Sequence, residues 1–377
     1  MRSLARKYFS KNLKQKTHHF LNVIDHKIFP FFTKSAFLSS VYYLLFSSEF
    51  RREHKAVLNG RLAYQFEQNK QKELAKQSLS KSSYLLRRNI HRLEKGLVMR
   101  PRRSVFAEDY IKETVHCYSL CVVMPNINSQ ELAWASEVLS EYFSIVDNTC
   151  IIYESRMIFE SSHLKPLPAI CDTKEIEQVD FKPTKNLPYA RLSTPELQIN
   201  SQQFEKLCIK RRSIRWYVPK KVPDELLNQA IKTASLAPSA CNRQPFEFFV
   251  INDLKTAPKV AELAGGTAGF SSNIPCIIVL VGDLSAYPME RDRHIVYIDS
   301  SLAAMQLMLS LETLGLSSCL LNWPDLDVPE NKMSKLLNLP VYKRPIMLLS
   351  VGYALEDGLI PCSVKKPISI LRTDIQL

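Results

Sequence analysis

The feature that most constrains the fold is a continuous apolar run, PCIIVLV, at Pro275–Val281. A run of this length without a polar position is typical of a β-strand that is covered on both faces. Further strands are predicted at Phe246–Ile251, Ser317–Leu321 and Ile346–Gly352. Helices are predicted around them, at Pro223–Ala234, His294–Thr313 and Pro329–Leu337. Helices and strands that are mixed without a strict βαβ order indicate an α+β fold.

The predicted helix at His294–Thr313 has large apolar residues at steps of three and four. They are Ile295, Ile298, Leu302, Met305 and Leu309. This spacing places them on one face, which we expect to face the core. Gly315 provides a signal for the end of the helix.

The chain changes character twice along its length. Residues 35–100 are nearly free of Gly and Pro, and residues 104–160 have helical periodicity, so both stretches are predicted to be mostly helix. Residues 162–197 contain five prolines and few periodic apolar positions, which is typical of an extended linker. We therefore predict a mainly helical domain at 1–161, a linker at 162–197 and the α+β domain at 198–377.

The net charge of +13 is concentrated in the N-terminal part. Residues 1–103 hold 23 Lys and Arg against 6 Asp and Glu, a net charge of +17, whereas the remaining residues carry −4. Such a segment suits an anionic partner. The aromatic and apolar residues at 28–46 would rest on an anionic membrane surface or form a buried helix. Nucleic-acid binding is disfavoured because no recognised nucleic-acid-binding module accompanies the charge.

Three further observations bear on the cellular location of the protein. The apolar stretch Ser35–Phe46 has 12 residues, against about 20 needed to span a bilayer, so no spanning helix is expected there. The N-terminus lacks the apolar core of a signal peptide. The nine cysteines show no repeated CxxC spacing, so no metal site is expected, and Cys276 and Cys319 lie in apolar runs. These features predict a cytoplasmic protein, peripheral to the inner face of the membrane if the basic segment binds there.

The segment Arg211–Arg215 is a candidate anion site. Three guanidinium groups and the Ser213 hydroxyl occur within five residues, and Arg forms forked, charge-assisted hydrogen bonds with phosphate. If the segment opens a helix, alternate side chains diverge, so that one Arg reaches a phosphate and another reaches a ring. The alternative is a solvated basic turn.

Three other segments combine polar side chains with rigid backbone. The loop APSACNRQPF at 237–246 has two prolines and the side chains of Asn242, Arg243 and Gln244. It suits recognition of a uracil-like edge, although it could equally be an ordinary connection between helix and strand. The strand Ser317–Leu321 delivers Asn322 and Trp323 to its end, and the Val364–Pro367 segment adds Lys365 and Lys366.

In this order and spacing, the segments resemble the nitroreductase superfamily of FMN-dependent oxidoreductases. The matching motifs are RRSIRWY at 211–217, APSACNRQPF at 237–246, IDSSLAAMQLMLSLETLGLSSCLLNW at 298–323, SVGYALEDG at 350–358 and SVKKP at 363–367. The resemblance covers residues 204–370, a little under half of the chain. It implies a nitroreductase-like α/β sandwich that forms a homodimer, with one flavin at each end of the subunit interface.

The resemblance also implies roles for individual residues. Arg211 and Ser213 would hold the FMN phosphate, Lys365 or Lys366 would be a second anchor, and Arg215 would lie near the pyrimidine side. The 237–246 loop would approach the flavin from the partner subunit, and Asn322 and Trp323 would flank N5. The expected cofactor-binding residues are Arg211, Arg212, Ser213, Arg215, Pro238, Ser239, Asn242, Gln244, Asn322, Trp323, Lys365 and Lys366.

The implied reaction is hydride transfer from NADH or NADPH through FMN to an electron-poor small molecule. No side-chain acid or nucleophile is required, because the cofactor carries the chemistry. A nearby guanidinium would stabilise negative charge at N1 and O2, and a donor to N5 would tune the potential. The alternatives are a relative that consumes its own flavin, one that reductively removes a ring substituent, and a binding or scaffold protein without redox turnover.

The chain departs from the family pattern in three places. Many relatives have an acidic residue and Gly in place of Asn322 and Trp323, and a common C-terminal Arg is Lys here. The connections at 252–273 and 283–293 are short, which leaves room for the N-terminal region to cover the site.

Residues 87–111 resemble N-terminal extensions of nitroreductase-like proteins associated with bacterial polysaccharide biosynthesis. Their basic residues are Arg87, Arg88, Arg92, Lys95, Arg100, Arg102 and Arg103. They predict a site for a sugar nucleotide or an acidic glycan. The alternative is a solvated helix face on which Glu94 pairs locally.

Overall fold

The computed structural model describes residues 30–68, 80–163 and 186–376. Most of the expected linker and the first 29 residues lie outside these ranges. The described residues form two compact units. One contains the residues up to Ala56 together with Asp325–Asp327, and the other contains the rest.

In the first unit, helix α1 (Ala36–Phe46) is followed by α2 (Ser48–Gln68), whose second half belongs to the other unit. Ser35 caps α1 by accepting a hydrogen bond from the Leu38 amide. None of the residues of α1 is buried. The aromatic side chains of this unit contact one another instead, and Tyr43 stacks on Phe50 with ring centroids 4.1 Å apart.

After the second half of α2, the second unit continues with a bundle of helices. They are α3 (Tyr84–Leu97), α4 (Ile111–Cys121), α5 (Ser129–Ile145) and α6 (Cys150–His163). Their apolar faces share one core, in which Leu86, Ile90, Tyr118, Leu139 and Tyr142 are fully buried. The helical N-terminal region predicted from the sequence is confirmed.

The sheet and its helices follow in the C-terminal part. The helices are α7 (Ser201–Lys210), α8 (Asp224–Ala234), α9 (Ala257–Ala261), α10 (Ile295–Thr313), α11 (Asp327–Leu336) and α12 (Ile368–Leu371). The strands are β1 (Phe246–Ile251), β2 (Cys276–Asp283), β3 (Ser317–Leu321) and β4 (Lys343–Gly352). Each predicted strand is present, with bounds that differ by at most three residues.

The sheet has the order β1-β2-β4-β3, and every adjacent pair is antiparallel. All residues of β2 are buried, as the apolar run predicts. Its alternate side chains enter two different cores: Ile277 packs with α9 and α11, and Ile278 packs with α8 and α10. Helices therefore cover both faces of the sheet, which confirms the α+β sandwich.

One prediction for α10 is wrong. Ile298, Leu302 and Met305, expected in the core, are 56%, 44% and 41% exposed. The opposite side of the helix is buried instead, and it includes Ala303 and Leu307. Because α10 is apolar around most of its circumference, helical spacing groups the large residues without showing which group faces inward.

Among the described residues, one stretch is long and apolar enough to cross a membrane, Glu290–Thr313. Half of its most apolar window is buried within the protein. Since the core helix of a soluble protein has the same property, this stretch is weak evidence for a membrane span.

Candidate functional site

The arginine segment follows the end of α7 rather than opening a helix. Arg211 has extended backbone angles, φ −61° and ψ 110°, and its amide caps α7 by donating to the Leu207 carbonyl. Ser213 then forms a parallel bridge with Ser318 of β3, where the Ile214 amide donates to the Ser318 carbonyl at 3.1 Å. The edge of the sheet therefore fixes the segment, and the burial of the Ile214 side chain anchors it.

Arg212 connects this segment to the C-terminal part of the chain. Its guanidinium donates to the carbonyl of Pro361 at 2.9 Å and also to the carbonyl of Cys362. Lys365 and Lys366 follow three and four residues later, and both are exposed. These contacts place Pro361 and Cys362, which precede the lysine segment, beside the arginine segment.

Two buried polar atoms beside this segment have no hydrogen-bond partner among the described residues. They are Nε of Arg211 and Oγ of Ser318. A buried donor without a partner is costly, and it often marks the place of a ligand atom. Burial raises the pKa of the neighbouring Cys319 thiol, against the opposing effect of the Arg215 guanidinium. Cys319 therefore stays a neutral thiol beside these cations.

Arg215 lies on the same stretch, partly buried. Its guanidinium is 5.9 Å from the centre of the Phe270 ring and donates to the Ser213 carbonyl at 3.4 Å. The Asn273 side chain holds the backbone here, donating to the Arg215 carbonyl at 3.0 Å.

The two residues after β3 point in different directions. Asn322 is exposed, and its carbonyl accepts a hydrogen bond from the Gly265 amide at 3.2 Å. Trp323 is buried, and its indole N–H donates to the Glu330 carboxylate at 2.9 Å. The Trp323 side chain is therefore part of the core.

The loop at 237–246 connects α8 to β1 with an unusual backbone. Cys241, Asn242 and Gln244 have φ values of 52°, 50° and 52°, in the left-handed region that residues other than glycine rarely adopt. The loop is stabilised internally by the Ser239 hydroxyl, which accepts a hydrogen bond from the Gln244 amide at 3.0 Å. Pro238 is exposed, whereas Ser239, Asn242 and Gln244 are partly buried.

A buried acidic residue holds the start of this loop. The Asp299 carboxylate on α10 accepts from the Ala240 amide at 3.0 Å and from the Tyr287 hydroxyl at 3.2 Å. Burial raises the pKa of Asp299, while these hydrogen bonds and the Arg243 charge oppose the shift. The Arg243 side chain is buried too, and it donates to the Ala240 carbonyl at 3.1 Å.

Sequence reasoning missed Asp299, Tyr287 and Arg87 as supports of the loop. The available signal was the single carboxylate within the apolar part of α10, since an unpaired charge is rarely buried. Arg87 was predicted only as part of the basic cluster; its Nε donates to the Asn242 carbonyl of the loop, and no local pattern indicates this contact because the two residues are 155 positions apart.

The basic cluster at 87–103 separates into two groups. Arg87, Arg88 and Arg92 make internal contacts, with the Asn242 carbonyl, the Tyr64 hydroxyl and the Asp109 carboxylate respectively. The second group is exposed and consists of Lys95, Arg100, Arg102 and Arg103. Glu94 interacts with His91 and accepts a hydrogen bond from the Trp134 indole, so it pairs locally but not with an Arg.

The expected site residues form two groups at diagonally opposite corners of the sheet. The arginine segment borders the first half of β3, which pairs with the end of β4, whereas the 237–246 loop leads into the start of β1. Edge strands β3 and β1 are three strand spacings apart, about 14 Å. Within one chain, the arginine segment and the 237–246 loop therefore lie at different corners of the same sheet.

A surface cavity of about 750 Å³ is lined by residues that include Lys210, Glu312, Ser317 and Tyr353. It borders the arginine segment but contains none of the expected site residues. Within residues 30–68, 80–163 and 186–376, His, Cys, Asp and Glu form no cluster that could hold a metal ion.

Comparison with known proteins identifies the family. The model of the nitroreductase family matches residues 209–268 and 264–353. A protein of Archaeoglobus fulgidus with the provisional name NADH dehydrogenase/NAD(P)H nitroreductase is 30% identical over 154 residues, which are 40% of this chain and 86% of that protein. The chain belongs to the nitroreductase family. The family resemblance inferred from the sequence is confirmed.

Other nitroreductase family relatives differ in name. Human iodotyrosine deiodinase 1 is 23% identical over 217 residues, covering 49% of this chain and 73% of the relative. A solved structure titled FMN-dependent nitroreductase, from Clostridium difficile R20291, has 28% identity and a TM-score of 0.36, and covers 42% of this chain and 91% of its own. Proteins of this family are FMN-dependent oxidoreductases, typically reduced by NAD(P)H and commonly homodimeric.

Proposed function

We propose that this nitroreductase is an FMN-dependent oxidoreductase that transfers a hydride from NADH or NADPH to an electron-poor small molecule. The observation that carries the proposal is the arginine segment beside two buried polar atoms, Arg211 Nε and Ser318 Oγ of β3, which have no hydrogen-bond partner among the described residues. When bound, FMN supplies the hydride acceptor and donor, so the protein needs no nucleophile of its own.

Arg211 and Ser213 would hold the FMN phosphate. The free Nε of Arg211 offers a charge-assisted hydrogen bond that no described residue uses. Lys365 and Lys366 are candidates for the second anchor, since Arg212 draws their segment to the same edge of the sheet. Two cations opposite one dianionic phosphate match the charge of the ligand.

Arg215 and the end of β3 would face the ring system. A guanidinium at Arg215 would stabilise the negative charge that develops on the pyrimidine side. Asn322 is exposed and free to contact a ligand. Since the Trp323 indole is bonded to Glu330, residue 323 would contribute through its backbone N–H.

We propose that the active unit is a homodimer with sites shared between subunits. Pro238, Ser239, Asn242 and Gln244 would complete the flavin site of the partner, because the arginine segment of the same chain is at the far corner of the sheet. The exposed apolar face of α10, with Ile298, Leu302 and Met305, supports burial against a second copy. Asp299 joins this helix to the loop.

The test is reconstitution of the full chain with FMN, followed by anaerobic titration with NADH and with NADPH. Stoichiometric FMN uptake and bleaching of the flavin absorbance by either nucleotide are expected. FMN uptake without bleaching would favour the scaffold alternative. Protein that takes up no FMN would refute the proposal.

A second candidate reaction is reductive removal of a halogen from an aromatic ring. It is favoured by the iodotyrosine deiodinases among the relatives, including one of Haliscomenobacter hydrossis that is 24% identical over 205 residues, 90% of that protein. The reaction would replace a carbon–iodine bond by carbon–hydrogen, consuming two electrons and one proton and releasing iodide. Iodide release from iodotyrosine by the dithionite-reduced protein would support it, and failure to release iodide would exclude this substrate.

We further propose that the N-terminal part binds an anionic membrane surface. Phe37, Leu45 and Phe46 of α1 are 75%, 62% and 60% exposed, and burying one such side chain contributes about 1.5–3 kcal/mol. Residues 1–34 hold eight Lys and Arg against one Asp, and each cation near such a surface contributes about 1 kcal/mol.

This proposal is tested by co-sedimentation of the full chain with vesicles of phosphatidylcholine alone and with phosphatidylglycerol added. Binding to the anionic vesicles is expected to fall with salt and to weaken further in F37S/L45S. Equal, negligible sedimentation with both vesicles at low salt contradicts it. In that case the exposed cations Lys95, Arg100, Arg102 and Arg103 would fit a soluble anion such as a sugar nucleotide, and the link to polysaccharide biosynthesis stays a prediction.

A further inference from the structure

Helix α3 of the N-terminal bundle contacts the 237–246 loop through Arg87. The Arg87 Nε donates to the Asn242 carbonyl at 2.9 Å, and its Nη1 lies 3.1 Å from the buried Glu131 carboxylate. The guanidinium is also 5.4 Å from the centre of the Trp134 ring. Glu131 and Trp134 therefore hold the Arg87 guanidinium in place while it binds the loop.

Glu131 is itself fixed by the bundle. It accepts hydrogen bonds from the Ser83 amide at 2.9 Å and from the Ser82 hydroxyl at 2.6 Å. These contacts place the start of α3, the start of α5 and the Asn242 carbonyl around a single guanidinium. Arg87 uses two different nitrogens in fixed planar directions for these contacts, whereas a Lys donates from a single ammonium nitrogen and lacks this fixed arrangement.

The loop needs such external support because of its backbone. Three of its residues, Cys241, Asn242 and Gln244, are in the left-handed region without being glycine, and that conformation persists only where the surroundings impose it. Asp299 holds the Ala240 amide on one side. Arg87 holds the Asn242 carbonyl on the other, directly within the left-handed stretch.

We propose that Arg87 is a positioning residue for the flavin site: the N-terminal helices set the shape in which the 237–246 loop meets FMN. This inference rests on the proposed function, because it assumes that the loop contacts the flavin. It gives the helical bundle a part in the redox site. The Archaeoglobus fulgidus relative is matched over 86% of its length by 40% of this chain, so most of this chain has no counterpart in that match.

The test compares Arg87→Lys with Arg92→Lys in the full chain. Arg92 is a matched control on the same helix, since it also contacts one carboxylate, Asp109, and one aromatic ring, Tyr110, without touching the loop. Hydrogen–deuterium exchange of peptides covering 237–246 reports the order of the loop in the flavin-free protein. FMN affinity and the visible circular dichroism of bound FMN report the site.

Arg87→Lys is expected to raise amide exchange in the loop, to weaken FMN by about tenfold and to alter the dichroism, with a melting temperature close to that of Arg92→Lys. Unchanged loop exchange and unchanged FMN affinity overturn the inference. Faster exchange with unaltered FMN affinity also overturns it, because the loop would then lie outside the flavin site. A wild-type protein that takes up no FMN instead overturns the proposed function, and the positioning role falls with it.

Discussion

Replacement of Arg211 by Ala is the sharpest test of the phosphate site. In the flavin-free protein the Arg211 Nε is buried without a hydrogen-bond partner among the described residues. Removing the side chain therefore breaks no bond of that nitrogen, and folding should be little affected. If the guanidinium bonds a phosphate dianion, its loss removes a charge-assisted hydrogen bond of about 1.5–3 kcal/mol. The dissociation constant for FMN should then rise by about 10- to 150-fold.

The matched control is Lys210→Ala, which removes the same unit of charge from the preceding residue. Lys210 is exposed and lines the neighbouring cavity rather than the proposed phosphate site. It should change FMN affinity by less than about threefold, through long-range charge alone. Affinities are measured by quenching of flavin fluorescence in the flavin-free protein at fixed ionic strength. Wild-type affinity in Arg211→Ala, with the control also unchanged, refutes the assignment of Arg211 to the phosphate.

Other substitutions test the remaining parts of the reasoning. If the proposed dimer forms through α10, Leu302→Arg should produce a monomer that binds no FMN, whereas Leu192→Arg, at a 98% exposed position, should not. Light scattering on eluted protein measures the mass, and an unaltered mass for Leu302→Arg contradicts the interface. Gly60→Ala should lower the free energy of unfolding by about 1–3 kcal/mol, because the added Cβ would lie 2.7 Å from the Leu284 backbone. Urea titration of the variant and the wild type measures the difference in unfolding free energy, and wild-type stability in the variant would disprove the contact. Burial raises the pKa of Asp299 above its ordinary value, so the folded protein binds that proton more tightly than the unfolded chain does. The contribution of Asp299 to the unfolding free energy therefore declines as pH rises from the ordinary pKa to the raised pKa. Asp299→Asn should make the decline shallower in a denaturation series from about pH 4 to pH 7, with the remainder due to Asp283 and Glu312, whose pKa values burial also raises; an identical slope would show that Asp299 does not contribute.

Much of the fold of the C-terminal part can be predicted from local sequence. The run PCIIVLV contains no polar position, which is typical of a strand covered on both faces, and β2 is buried throughout. The four strands and the helices α8, α10 and α11 follow from similar short-range patterns, whereas α7, α9 and α12 were not predicted. The order of the motifs from Arg211 to Lys366 was enough to recognise the nitroreductase family, because each motif is continuous in the sequence.

The sequence did not show which face of a helix is buried or which residues distant in the chain are in contact. Helical spacing shows that Ile298, Leu302 and Met305 share a face of α10, but on a helix that is apolar on most sides it does not show which face is covered. Only packing of Ala303 and Leu307 against the sheet decides that the large residues point outward. Ile298, Leu302 and Met305 are therefore surface residues, available to a second copy of the chain, and not core residues.

The candidate site divides in the same way. The sequence determined which residues carry cations and amides, since residue type alone fixes that chemistry. Only the tertiary structure decided that the Trp323 indole turns toward Glu330, and that Arg87 and Asp299 hold the 237–246 loop from two different helices. These contacts join residues 59 and 155 positions apart to the loop, and no local pattern encodes a hydrogen bond whose partners meet only after the sheet and the bundle have packed.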